Sequence, residues 1–193
     1  MMGASPWQTK EQYLDSKLHP KEFVPTQNML HGRFDEQHNM KKFEWITGLK
    51  TRSTNLFMAS TRWPELASTI DGVVTRPVHE YTPDPRVTKT LWPMQLRQTL
   101  LLEAKGRVGL IEMKQTEVWY GRKEWLNPSE PPRHYQLQLQ AQLHVTGLHW
   151  GILCARVGAA GMMAFYVERD DSNEFVGELV ETIYEFRSVV LEQ

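Results

Sequence analysis

Residues 107–116 read RVGLIEMKQT, and their reading decides the fold. Val108, Gly109, Leu110 and Ile111 form a short apolar run of the kind buried inside a sheet, yet Glu112 and Lys114 stand at its end. Two residues apart on a strand, these side chains point to the same face. A charge buried alone is costly, so a carboxylate and an ammonium in that place require each other or a further charge. An isolated Glu-x-Lys at the end of a strand is ordinarily solvated, and its meaning here depends on what else the chain brings.

Upstream lies Ile70-Asp71-Gly72-Val73-Val74, a second carboxylate between apolar residues, read as sitting at a tight turn. Two carboxylates from neighbouring strands beside a lysine are what a phosphodiesterase dependent on Mg²⁺ needs, with Mn²⁺ as a substitute. The oxygens hold the ion, the ion polarises a phosphate, and the lysine orients or helps deprotonate a water. The histidines show no metal-ligand spacing, and the lone Cys154 excludes an intramolecular disulfide, a CxxC pair and a cysteine-held zinc or iron–sulfur site.

The 193 residues, 40% of them hydrophobic, predict one domain spanning 1–193 with a real core. With no apolar run long enough to span a membrane and no secretory signal in MMGASPWQTK, the expected location is the cytoplasm. The net charge of −1 conceals an asymmetry. Residues 165–193 carry eight acidic and two basic side chains, which leaves 20 basic and 15 acidic in 1–164. A basic groove for nucleic acid is compatible with that body of about +5.

Along the chain, SPWQTKEQYLDSKL predicts a helix starting at Ser5-Pro6, HPKEFVPTQN a connector, and residues 31–46 a second helix ending near Gly48. Strands are expected at 54–60, 70–74 and 107–115. Residues 76–106, punctuated by Pro77, Pro83, Pro85 and Pro93, read as an insertion with a helix in PMQLRQTLLLEAKG, and 117–132 as a loop. YQLQLQAQLHV at 135–145 is in conflict: its strict alternation is that of a strand, but Gln, Leu and Ala favour a helix and Gly147 follows. HWGILCARV and MMAFYVER predict a hairpin joined at GAAG, and SNEFVGELVETIYEFRSVVLEQ a helix with Phe175, Leu179, Ile183 and Phe186 on one stripe. The order gives an α/β fold with a mixed central sheet flanked by helices.

ASTIDGVV, then LIEMK, then YQLQLQAQLHVTG resembles the restriction-endonuclease-like PD-(D/E)xK core of the YqaJ-like viral recombinases, the group that includes phage lambda exonuclease. GASPWQTKEQYLDSK, His31-Gly32-Arg33-Phe34-Asp35-Glu36 and Tyr166-Val167-Glu168-Arg169-Asp170 extend the resemblance over nearly the whole chain outside 76–106. It implies that Asp71, Glu112 and the Met113 carbonyl hold Mg²⁺, that Lys114 is the catalytic lysine, and that Glu36 reaches the metal directly or through water. Gln138 and Gln140 match the family's QxQ pair, with Gln140 the better match for its active-site glutamine. The family also places this segment on a helix.

For DNA contact, Thr69 stands where the family often has a serine near its phosphate pocket, and Arg33 and Arg62 are further candidates. The loop bearing Trp119, Arg122, Lys123 and Trp125 interleaves aromatics with cations, as a strand grip does, or else packs over the core. The resemblance implies a 5′ exonuclease acting on double-stranded DNA ends in recombination, a single-strand annealing protein as partner and a ring-shaped homotrimer. The competing readings are a structure-specific or single-strand endonuclease on the same core, and a non-catalytic DNA-binding or assembly module. The chain begins at Met1-Met2-Gly3, without the family's upstream arginine and serine for the 5′-phosphate, so weak discrimination between phosphorylated and hydroxyl ends is expected.

Overall fold

The computed structural model describes residues 8–20, 22, 24–75, 91–92, 108–116, 125, 130–158 and 161–191. A mixed sheet forms its middle layer. In chain order the strands are β1 (Lys50–Ala59), β2 (Ala67–Thr75), β3 (Leu91–Trp92), β4 (Val108–Thr116), β5 (Trp150–Val157) and β6 (Gly161–Glu168). Their order across the sheet is β1-β2-β4-β5-β6-β3. The neighbours β4 and β5 run parallel, as do β3 and β6, and the other pairs are antiparallel. The helices are α1 (Lys10–Leu18), α2 (Gln27–Thr47), α3 (Arg133–Thr146) and α4 (Asn173–Leu191).

Strand parity sorts the core into two halves. Ile111 and Met113 of β4, with Trp150, Ile152 and Cys154 of β5, face α2 and pack on Met40, Phe43 and Ile46. Leu110 and Leu153 face the other way, onto Leu139 and Leu143 of α3. By the same alternation Glu112 and Lys114 project toward α3. Close packing of the α2 side depends on Gly109, where a Cβ would lie 2.5 Å from the Trp150 ring. Burial pushes the Cys154 thiol pKa well up, so it behaves as an inert apolar side chain.

The helices start where side-chain caps allow. Thr9, not Ser5-Pro6, begins α1 through a capping box with Gln12. Thr26, inside the segment read as a connector, caps α2 by accepting from Met29 N–H, so the helix begins four residues before His31. Gly48 closes α2 with a left-handed φ of 75°. β1 starts at Lys50 rather than 54, directly after that turn.

The alternating segment is α3, and its surroundings explain the pattern. Leu139 and Leu143 enter the sheet core, whereas Leu137 packs on a separate cluster of Phe175, Leu179 and Ile183 from α4. A helix pressed between two apolar surfaces shows leucines on more than one side. Phe186 continues the α4 stripe onto Tyr13 of α1, with ring centroids 6.2 Å apart. The glutamates of α4 are exposed. Trp125 is fully buried against Tyr135 and Phe165, so this end of the aromatic loop belongs to the core. The helix expected at 93–106 lies outside the described residues. Among the described residues no helix is long and apolar enough to cross a membrane.

Gly109→Ala is expected to cost about 1–3 kcal/mol through overpacking against Trp150. Gly32→Ala, in α2 with open space around it, is expected to add about 0.5–1 kcal/mol. Urea midpoints of the two variants test both, and a neutral Gly109→Ala would show that the Trp150 contact is loose.

Candidate active site

The β2–β4 ladder runs from Thr75↔Val108 to Gly72↔Ile111 and stops there. Asp71 and Glu112 are the next residues on the two strands. Where the ladder ends, a side chain takes over: Asp71 Oδ2 accepts from the Met113 N–H at 3.0 Å. β4 itself continues, paired with β5 as far as Thr116, so the gap opens on the β2 side only. Asp71 is thus a mid-strand residue and not the turn residue its Asp-Gly sequence implies. Gly72 serves packing instead, because a Cβ there would lie 2.8 Å from the Arg52 carbonyl oxygen.

Glu112 is 1% exposed and carries the densest set of partners in the site. Its Oε1 accepts from Lys114 Nζ at 2.5 Å and from Gln138 Nε2 at 2.6 Å. Its Oε2 accepts from Gln142 Nε2 at 2.6 Å, and that amide also donates to the Thr69 carbonyl at 2.9 Å. Lys114 Nζ lies 4.9 Å from the centre of the Tyr135 ring. Gln138 and Gln142 are four residues apart and so share one face of α3.

Glu36 enters from α2. Its Oε1 is buried and has no hydrogen-bond partner among the described residues. Burial, then the charge of Glu112, raises the Glu36 pKa. Asp71 is pushed up to about 7, first by burial and then by Glu112. Burial opposes the Lys114 ammonium, but Glu112, by charge and hydrogen bond, outweighs it with help from Asp71 and Tyr135, and the lysine pKa rises. With all three carboxylates ionised, one ammonium leaves the site short of positive charge.

That deficit, and the unpartnered Glu36 oxygen, fit a hard divalent cation. Among the described residues no three His, Cys, Asp or Glu side chains already form a cage. Mg²⁺ does not require one, since it is commonly held by one or two carboxylates with waters completing the shell. Asp71, Glu112 and the Met113 carbonyl, with Glu36 behind them, are the donors this chain offers.

The model of the YqaJ-like viral recombinase domain matches residues 1–149. The chain belongs to that family. No curated protein sequence matches it. Among solved structures it is similar to LHK-Exo, an alkaline exonuclease from Laribacter hongkongensis. The TM-score is 0.69 to one structure of that enzyme and 0.67 to its complex with dAMP, at 16% identity over 99% of this chain and 84% of that one. The shared fold is that of a PD-(D/E)xK nuclease.

Of the QxQ pair, only Gln138 reaches Glu112. Gln140 is turned away, donating to the Glu168 carbonyl at 2.6 Å and accepting from Asp170 N–H at 2.8 Å. Two residues on a helix are about 200° apart, so 138 and 140 cannot both face one carboxylate. The second amide at Glu112 comes from Gln142, a residue the sequence reading passed over although it lies one turn beyond Gln138. Thr69 is exposed on β2, and its carbonyl rather than its hydroxyl is tied to the site. Arg33 is exposed on α2, close enough to act on Glu36 electrostatically. Arg62 is exposed in the β1–β2 connection, 4.5 Å from the centre of the Trp63 ring. Trp119, Arg122 and Lys123 lie outside the described residues.

The raised Asp71 pKa has a definite sign. From an ordinary 3.8 to about 7, the folded state holds the proton more tightly than the unfolded chain does. The stability this contributes is full below pH 3.8 and is lost as pH rises to about 7. In EDTA, Asp71→Asn is therefore expected to gain on the wild type in unfolding free energy across that window. Stability curves that stay parallel from pH 4 to 7 would contradict the assignment. Mg²⁺ should stabilise the wild type more at pH 8 than at pH 5, because it competes with that proton.

Proposed function

We propose that residues 1–193 form a single nuclease domain that hydrolyses duplex DNA from 5′ ends with Mg²⁺, replaceable by Mn²⁺, in phage-type recombination. The observation that carries this reading is the meeting of Asp71 and Glu112 at the end of the β2–β4 ladder, with Lys114 held on Glu112. Family membership supports it, and so does the dAMP in the LHK-Exo complex, since a mononucleotide is what an exonuclease releases.

Each residue has a task that follows from its surroundings. Asp71, Glu112 and the Met113 carbonyl would hold the ion, with Glu36 reaching it directly or through water. When bound, the ion supplies Lewis acidity toward a phosphate oxygen and makes a water more acidic. Lys114, held on Glu112, orients a water or helps deprotonate it and stabilises negative charge growing on the phosphoryl group. Gln138 and Gln142 keep the Glu112 carboxylate in one orientation, so no reorganisation is needed as charge develops. Gln140 serves the same end of the fold by tying α3 to the chain that leaves β6. Arg33, Arg62 and Thr69, together with Trp119, Arg122 and Lys123, are proposed to contact the DNA. A single-strand annealing protein and a homotrimer complete the proposed assembly, in the cytoplasm of the host cell.

Asp71→Ala and Glu112→Ala are each expected to lower cleavage of linear duplex by at least about a hundredfold. Lys114→Ala should lose turnover while still binding Mn²⁺ by calorimetry. Wild-type rates in purified Asp71→Ala, or full activity in EDTA, would refute the site. Ca²⁺ should bind without supporting turnover, because its loose geometry positions water poorly. Covalently closed circular duplex should resist digestion, and its rapid cutting would identify an endonuclease.

A further inference from the structure

Single apolar side chains on a surface are ordinary, but α2 sets two large aromatics on one line of its outer side. Phe34 is 79% exposed and Trp45 62%. At about 100° per residue, positions 31, 34, 38, 41 and 45 fall within about 80° of one another, opposite Met40, Phe43 and Ile46 on the sheet side. His31, His38 and Lys41 are exposed there too. The carboxylates of α2 are all turned from this face: Asp35 accepts from Gln115 Nε2 at 3.0 Å, Glu44 from Thr51 N–H at 2.6 Å, and Glu36 enters the site. The outward face is therefore aromatic and basic, and among the described residues Lys41 has no ion-pair partner.

α4 presents the opposite character. Phe175, Leu179 and Ile183 face inward, while Glu174, Glu178, Glu181 and Tyr184 fall within about 120° of one another on the exposed side. Tyr184 is 61% exposed. Glu185 is taken by Lys10 and Arg187 by Glu65, which leaves Glu174, Glu178 and Glu181 without ion pairs among the described residues. Here the acidic excess of residues 165–193 comes to the surface. The two faces match in length, because Phe34 to Trp45 and Glu174 to Tyr184 each span about 15–17 Å of helix. They cannot meet within one molecule: α2 covers one face of the sheet, and α4 packs on α3, which covers the other.

We propose that the outward face of α2 binds the outward face of α4 on a second copy of this chain. Carboxylates set against an ammonium and imidazoles, and a tyrosine against a phenyl and an indole, make the contact complementary in charge and in apolar character. The contact is heterologous, since each copy offers a different patch to each neighbour, so successive copies form a closed ring or an open chain. It supplies the surface for the homo-oligomer proposed above; the inference rests on that assembly and not on the cutting chemistry.

The test is light scattering and sedimentation of the full chain over a range of concentrations. Phe34→Ser with Trp45→Ser in one variant, and Glu174→Lys with Glu178→Lys and Glu181→Lys in another, should each weaken association by about a hundredfold. Both should bind Mn²⁺ by calorimetry as the wild type does, since every changed residue is exposed and far from the fold's core. Mixed one to one, the two variants should form dimers and nothing larger, because one intact face of each kind remains.

Variants that assemble as the wild type does, or a mixture that fails to pair, would overturn this assignment and leave the oligomer to another surface. A monomeric wild type would overturn it together with the proposed homotrimer, while digestion of linear duplex decides the nuclease reading separately. A monomeric wild type whose Phe34→Ser, Trp45→Ser variant loses affinity for duplex in Ca²⁺ would assign the stripe to nucleic acid and overturn the proposal equally.

Discussion

The constraint on which this structure turns is the burial of the Glu112 carboxylate. At 1% exposure it has almost no water to solvate it, and an isolated buried charge costs several kcal/mol. The fold answers with three donors: Lys114 from its own strand, and Gln138 and Gln142 from α3. Hydrogen bonds to a charged group contribute about 1.5–3 kcal/mol each, enough to offset that cost. α3 is therefore bound to β4 by polar contacts as well as by Leu139 and Leu143. The connection between the parallel strands β4 and β5 is at once a packing element and the support of the site.

A second constraint is the end of the β2–β4 ladder. Had pairing continued past Gly72↔Ile111, the Met113 N–H would bond a backbone carbonyl of β2, as in an ordinary antiparallel ladder. Instead the Asp71 carboxylate occupies the Met113 N–H, and its pKa rises toward neutrality because it is buried and because Glu112 is close. The metal-free protein is thus strained electrostatically in just the place where a cation is useful. The bulge in β1 belongs to the same local design, since Thr54 and Asn55 stand opposite Asp71 and the Thr54 and Ser53 hydroxyls bond the Ile70 and Asp71 carbonyls. Both ladders of β2 depart from regular pairing around one carboxylate, while the β4–β5 ladder remains regular and carries the core.

Much of this was legible in the sequence, and for physical reasons. The alternation in VGLIEMK placed Glu112 and Lys114 on one face because a strand has a period of two, whatever surrounds it. The apolar runs around β5 and β6 announced interior strands, and the stripe from Phe175 to Phe186 announced α4. Helix ends were less legible: Thr9 and Thr26 cap by local geometry that a polar residue in a connector does not advertise. Asp71-Gly72 carried a turn signature, yet Gly72 is there because the Arg52 carbonyl leaves no room for a Cβ. That contact joins residues twenty positions apart, and no local pattern encodes it.

The sequence by itself determined the α/β class, the mixed sheet and the carboxylate–lysine pair, because these follow from local periodicity and from the kinds of side chain the chemistry needs. Tertiary structure decided which amides complete the site. QLQLQAQL is ambiguous between a period of 2 and one of 3.6, and within the helix nothing local distinguishes Gln140 from Gln142. What distinguishes them is rotation about the α3 axis, about 100° per residue, fixed by Leu139 and Leu143 entering the sheet core and Leu137 meeting α4. Once those leucines are seated, Gln138 and Gln142 face Glu112 and Gln140 faces the end of β6.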